Sequence, residues 1–350
     1  MEDIAEGFLN ELIRRSLIQV VNTFWENVTE CRIHDLLRDL AVQKALEVNF
    51  FDIYDPRKHS ISSLCLRHVI YSHGKRYVSL DLSNLKLRSI MFLDRDLCKI
   101  MSLKKFCNVF QHIYVLYLEI GVGTISIVPD VIGSLYHLKF LRLKDTHANY
   151  PETTDLRNLR HLVAWYSKPL KHISKLTSLQ LLKGISCDQW KDVDLVNLGE
   201  LRMLDITTSY SLNNIGNLKN LRTLLLGCKR DESFPALEFL SSCQKLYRLW
   251  LQGRIKKLPL SNPFPNSITM MVLLGSKLME DPMPILGMLS NLRNLDICRA
   301  YEGKEITCSD NSFSQLEFLR LESLEKLERW HLPTRNWIRL KVLESMTVQS

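Results

Sequence analysis

The chain has 350 residues, 46% of them hydrophobic and 24% charged, with a formal net charge of +8. That composition excludes a disordered chain, and no apolar run approaches the ~18 residues that a membrane-spanning helix needs. The charge is uneven: residues 1–55 hold eleven Asp and Glu against five Lys and Arg, a balance of −6 that leaves +14 for residues 56–350.

In chain order, the start Met1-Glu2-Asp3 is acidic and unlike the n-region of a secretory signal. Ile4, Phe8, Leu12 and Ile13 recur at helical spacing and predict an amphipathic helix over 2–17, with its acids early, where the helix dipole favours them. Residues 18–33 switch to strand composition around a polar stretch at Glu26-Asn27-Val28-Thr29-Glu30 and predict a hairpin. A second helix follows with Ile33, Leu36, Leu37, Leu40 and Ala41 on one face. Helix, hairpin, helix over 1–50 fits a small, partial winged-helix unit. Residues 51–60 read as a connector ending near Pro56.

From Ile61 onward one frame repeats: apolar-x-x-apolar-x-apolar, as in Leu138-Lys139-Phe140-Leu141-Arg142-Leu143. It starts at Ile61, Leu87, Ile113, Leu138, Leu159, Leu179, Leu201, Leu221, Leu246, Ile268, Leu292, Leu316 and Leu340, thirteen copies 20 to 26 residues apart. This period is the signature of leucine-rich repeats. Alternation along a strand turns the fourth and sixth positions inward and the fifth outward. A second apolar column precedes each start by three residues: Phe110, Leu135, Leu156, Leu176, Leu198, Leu218, Leu289, Phe313 and Trp337, broken by Cys243 and Pro265. The expected fold is therefore α/β: a leucine-rich-repeat solenoid over 61–350, with a curved parallel sheet on its concave face. No polar capping unit follows Leu340, so either the last repeat is unusually tolerant or the chain is cut short, and the second is the expectation.

Chemistry is hard to place on this chain. No phosphate loop, zinc helix, nucleophile elbow or dinucleotide turn is present; Gly74-Lys75 and Gly303-Lys304 lack both the preceding glycine and the following hydroxyl. Nine cysteines without a C-x-x-C pair argue against a zinc site or a disulfide framework and read as reduced thiols, mostly buried. The histidines, among them His112, His137 and His161, read as solvated or hydrogen-bonded side chains beside strands. No catalytic or metal site is expected, and the chain reads as a binding protein rather than an enzyme.

Binding is expected on the outward fifth positions: Tyr117, Arg142, Val163, Lys183, Asp205, Leu225, Trp250, Val272, Asp296, Arg320 and Glu344. Trp and Arg are enriched at binding hot spots, which singles out Arg248 with Trp250, then Arg142 with Lys144, then Arg320, with Tyr117 and Lys183 on the same face. Trp250 reads either as an anchor for a partner or as part of an apolar stripe with Leu225 and Val272. The mixed sign of this ladder argues against a nucleic-acid groove. The basic solenoid favours acidic partners, or the acidic N-terminal segment, or is an ordinary solvated surface rich in Lys and Arg. His34-Asp35 opens the second helix, where Asp35 suits the free N–H groups and the dipole.

The stretch Glu2-Asp3-Ile4-Ala5-Glu6, continued through Phe8 to Ile18, and the stretch Cys31-Arg32-Ile33-His34-Asp35-Leu36-Leu37 resemble plant intracellular immune receptors of the coiled-coil, nucleotide-binding, leucine-rich-repeat type, including the late blight resistance class. The phrases Ile132-Gly133-Ser134-Leu135 and Leu176-Thr177-Ser178-Leu179 are similar to that family's repeats. The resemblance implies a defence role in the cytoplasm, in which the repeats hold a nucleotide-binding module closed until a pathogen molecule or a modified host protein shifts the balance. In that family a Met-His-Asp motif helps hold ADP. By position it falls on His34 and Asp35, with Ile33 in place of Met. The rest of the ADP/ATP module, including its phosphate loop, is missing from this chain, which the resemblance reads as a truncated or misannotated start, so His34 and Asp35 alone are not expected to bind nucleotide. The implied partners are proteins: a pathogen effector, a guarded host protein, or the nucleotide-binding module itself. The alternative is a leucine-rich-repeat substrate adaptor of a ubiquitin ligase, which would require a helical F-box in residues 1–50.

Overall fold

The structure is a computed structural model that describes residues 2–24, 27–57, 61, 63–94, 109–119, 130–144, 156–167, 173–186, 195, 197–207, 213–229, 232–258, 264–331 and 341–345. The N-terminal unit is helix α1 (Glu2–Arg14), an antiparallel hairpin of β1 (Ile18–Phe24) and β2 (Asn27–Ile33), and helix α2 (Asp35–Glu47). This is the order the spacing predicts. Helix α1 carries ion pairs at helical spacing, Glu11 to Arg14 at 2.6 Å and to Arg15 at 2.7 Å. The unit buries little of its own apolar surface: α2 has no buried residue, and Leu36 is 77% and Phe8 68% exposed.

The solenoid follows the repeat frame. Its strands are β3 (Asp52–Ile53), β4 (Arg67–Ile70), β5 (Ser89–Phe92), β6 (Val115–Glu119), β7 (Phe140–Lys144), β8 (His161–Ser167), β9 (Leu181–Ser186), β10 (Met203–Thr207), β11 (Thr223–Gly227), β12 (Arg248–Gln252), β13 (Met270–Leu274), β14 (Asn294–Cys298), β16 (Phe318–Glu322) and β18 (Lys341–Ser345). All fourteen lie side by side in chain order as one parallel sheet. β15 (Glu305–Thr307) and β17 (Arg329–His331) pair with each other in a separate two-stranded parallel sheet.

The core has two walls. The inward positions of the frame form one: Leu138, Leu141 and Leu143 are at most 2% exposed. The column three residues ahead forms the other, and the two residues that interrupt its apolar pattern keep it closed, since Cys243 and Pro265 are both buried. Trp337 lies outside the described residues. Each buried leucine contributes roughly 1.5–3 kcal/mol relative to exposure. Asparagines just ahead of the frame tie neighbouring turns: Asn158, Asn220 and Asn291 each donate from Nδ2 across one repeat, to the carbonyls of Tyr136, Gly199 and Asn266, all at 2.8 Å.

The structure departs from the predicted frame in four places. The sheet begins with β3, inside the stretch read as a connector. The first repeat is not framed on Ile61: Leu64 is 75% exposed, and the true frame is Cys65-x-x-His68-x-Ile70, all three buried. His68 takes a leucine position because its Nδ1 shares a 2.8 Å hydrogen bond with the Tyr77 hydroxyl of helix α3 (Gly74–Ser79). At Gly184, φ is +80°, and a bulge there brings Ile185 rather than Gly184 opposite Ile206. At the far end Arg320 pairs with Leu343, so the fifth rung is Leu343 and not Glu344, which stands opposite the inward Leu321. Leu340, the predicted start of that repeat, lies outside the described residues.

The described cysteines are free: Cys65, Cys243 and Cys308 are buried, Cys228 and Cys298 half-buried, and Cys31 exposed. Burial pushes the thiols of Cys243 and Cys308 up to about 11, which suits inert small hydrophobes.

Candidate functional site

Strand pairing turns the fifth positions into one ladder. Tyr117, Arg142, Val163, Lys183, Asp205, Leu225, Trp250, Val272, Asp296 and Arg320 succeed each other rung by rung. At ~4.8 Å per strand, Arg142 and Trp250 stand about 24 Å apart, and Trp250 and Arg320 about 14 Å. The residues singled out therefore share a face without converging on one small-molecule pocket. That arrangement suits a protein surface.

Much of the ladder's charge is answered on an adjacent rung. The Arg142 guanidinium lies 5.0 Å from the Tyr117 ring centroid, a cation–π contact, while its Nε is buried without a hydrogen-bond partner. Lys183 neighbours Asp205, whose carboxyl burial pushes up and Lys183 partly pulls back. Of Lys144 only the backbone is described; it pairs in register with Glu119.

Asp296 is 2% exposed and sits 3.4 Å from Arg320, which also pairs with Glu322. Burial pushes the Asp296 carboxyl up to about 6, against the pull of Arg320. The pairing left a trace in the sequence, opposite charges at fifth positions one repeat apart, but the burial did not.

Trp250 is half-buried between Leu225 and Val272, and Val272 is only 3% exposed. The apolar stripe therefore exists, and Trp250 still offers part of its ring outward. Arg248, on the same strand, lies over the Tyr247 ring at 5.3 Å.

His34 caps α2: its Nδ1 accepts the N–H of Leu36 at 3.3 Å. Asp35, in the first turn, pairs with Arg38 at 3.1 Å. The cap is thus His34, one residue before the acid that the sequence favours. Both side chains are exposed, and two exposed groups at a helix end do not by themselves enclose an adenine nucleotide. Among the described residues no cluster of His, Cys, Asp and Glu could hold a metal ion, and no helix is long and apolar enough to cross a membrane.

Residues 66–335 match the family described as "Leucine-rich repeat region", and residues 1–41 match "Disease resistance protein Winged helix domain". The chain belongs to the leucine-rich-repeat family, in the company of plant disease resistance proteins. It is 29% identical to the disease resistance protein RPP13 of Arabidopsis thaliana over 98% of this chain and 43% of that one. It is 31% identical to a putative RPP13-like protein 3 of the same plant, over 93% of this chain and 40% of that one. The chain thus spans about two fifths of the length of these curated relatives. A solved leucine-rich-repeat protein of Leptospira interrogans superposes with a TM-score of 0.56 at 16% identity, covering 86% of this chain and 88% of that one, which shows the fold. The F-box alternative falls away, because Ile18–Phe24 and Asn27–Ile33 pair as antiparallel strands inside a winged-helix match.

Proposed function

We propose that the chain is the recognition and autoinhibition part of a plant intracellular immune receptor of the nucleotide-binding, leucine-rich-repeat type, working in the cytoplasm by protein–protein contact. Within that type we assign it to the late blight resistance class, on the residues around Cys31-Arg32-Ile33-His34-Asp35. The observation that carries this reading is the join of a disease-resistance winged-helix segment to a repeat sheet whose outward face keeps Arg248, Trp250 and Arg320 partly exposed. Residues 1–50 are the end of the nucleotide-binding module, and the repeats, whose sheet already begins at Asp52–Ile53, bind. The ligand is an effector or a guarded host protein, and the repeats also hold the nucleotide-binding module closed. His34 and Asp35 contribute to an ADP site only when that module completes it.

Co-purification tests the autoinhibitory contact. A nucleotide-binding module supplied as a separate chain is expected to co-purify with this one, and reversal of Arg142 and Lys144 to Glu is expected to lower recovery at least fivefold. Unchanged recovery contradicts the contact.

A further inference from the structure

A second charged surface lies outside the fifth-position ladder. The residue at the second position of each frame comes just before its strand, on the edge where the chain enters the sheet. These residues are stacked by an unbroken run of backbone hydrogen bonds. Tyr114 donates to Arg88, Lys139 to Tyr114, Arg160 to Lys139, Gln180 to Arg160, Arg202 to Gln180 and Arg222 to Arg202, all at 2.8–2.9 Å. The run continues from Arg222 through Tyr247 and Thr269 to Arg293 and reaches its first acid at Glu317. Six cations therefore stand on one rim: Arg88, Lys139, Arg160, Arg202, Arg222 and Arg293. Arg88, Arg160, Arg222 and Arg293 are exposed and the other two half-exposed. Arg293 has the one ion pair found on the row among the described residues, to Glu317 at 3.9 Å. Much of the +14 balance of the repeats is gathered here, where a partner could reach it.

We infer that this rim docks an extended, acidic protein segment that also carries apolar residues. The row is one residue wide and, at ~4.8 Å per rung over nine gaps, about 43 Å long. A strip of that shape fits an extended chain of about 13 residues at ~3.3 Å per residue rather than a rounded domain. Beside it run the third positions, of which Val115, Phe140, Leu181 and Met203 are apolar and half-exposed and lie close together on neighbouring strands, while Ser89, His161, Thr223, Arg248 and Asn294 are polar. Acidic side chains of the segment lie over the rim, and its apolar ones lie over this neighbouring column. At the N-terminal end the row opens on a pocket of about 350 Å³ whose polar lining is Lys86, Arg88, His112 and Tyr114, with no carboxylate.

A single-stranded nucleic acid fits less well, because the rings that would stack on bases already carry cations. Arg88 and Lys139 both sit over Tyr114, at 5.9 and 5.2 Å, and Arg248 over Tyr247 at 5.3 Å. This inference does not depend on the contact at Arg142 and Lys144, which the test leaves intact.

The probe is a fluorescein-labelled peptide of about 13 residues, the length set by the rung spacing, with Glu at alternate positions and Leu and Ser between, read by fluorescence anisotropy on the full chain. The triple variant Arg160→Glu, Arg202→Glu, Arg222→Glu is compared with Lys75→Glu, Lys175→Glu, Lys256→Glu, which makes the same charge change at exposed sites off the row. The inference expects at least tenfold weaker binding in the row variant, at most twofold in the control, and affinity that falls as salt rises. Equal losses in both variants would mean that net charge alone acts and would overturn the docking site, as would no binding by the unaltered chain. Equal or tighter binding of an oligothymidylate of the same length, lost in the row variant, would reassign the rim to nucleic acid. If the triple variant melts early, Arg160→Glu and Arg222→Glu tested singly carry the comparison, because both side chains are exposed.

Discussion

The N-terminal unit and the solenoid solve the problem of burial in opposite ways. In the solenoid each leucine is covered by the next copy of the same frame, so Leu179, Leu201 and Leu221 are all 0% exposed. In the helix–hairpin–helix unit nothing repeats. Its structure rests on one strand pair and on exposed ion pairs such as Glu11 with Arg15, which are weak stabilisers. Phe8, Leu36, Leu40 and Val48 stay in solvent, 50–77% exposed. The two regions meet at a small joint, where the Arg67 guanidinium lies 4.5 Å from the Phe50 ring and donates to the Phe50 carbonyl at 3.1 Å. Stability is therefore concentrated in the repeats, and the apolar surface free to meet another body is concentrated in the first fifty residues.

Mutations can break this comparison. The largest effect is expected in the stacked core: Leu224→Ala, at a position 0% exposed, should cost ~2–5 kcal/mol in denaturant unfolding. An intermediate effect is expected at Asp296. Its folded-state pKa of about 6 lies above the ordinary 3.8, so the folded state keeps the extra proton. Stability from this group is full at low pH and is lost as pH rises from about 4 through 6, by on the order of 2 kcal/mol. The difference between the unaltered chain and Asp296→Asn, measured at pH 4.5 and 7, should show that fall; a constant difference would contradict it. The smallest effect is expected at Leu36→Ala, within about 0.5 kcal/mol, because nothing in the described structure covers that side chain. A large loss there would mean that the N-terminal unit has a core of its own.

The sequence made most of the fold legible, because one frame written many times fixes strand, face and period together. It failed where a single residue substitutes for a leucine by other means. His68 fills an inward position through its bond to Tyr77, so the apolar pattern alone points to Ile61 instead. Gly184 inserts a bulge that the spacing alone does not show. Leu343 rather than Glu344 takes the last rung, because pairing with β16 decides the register. The site was legible as a ladder, since alternation puts every fifth residue outward. How far each rung is buried was not, because that depends on neighbours about 24 residues away: Arg320 beside Asp296, and Trp250 beside Val272. The rim cations were present in the sequence too, as six of the ten second letters from Arg88 to Arg293, but they lie outside the outward fifth positions.

The central claim is that the concave face of the repeats is where a partner binds. Hydroxyl-radical footprinting of the chain with and without a co-purifying nucleotide-binding module tests it directly. The account predicts protection of Tyr117 and Trp250 on the ladder, together with Met91 on the preceding strand, and unchanged oxidation of Tyr71, Met279 and Met288, which are exposed and off that ladder. Protection confined to Tyr71, Met279 or Met288, with Trp250 oxidised as before, would contradict it.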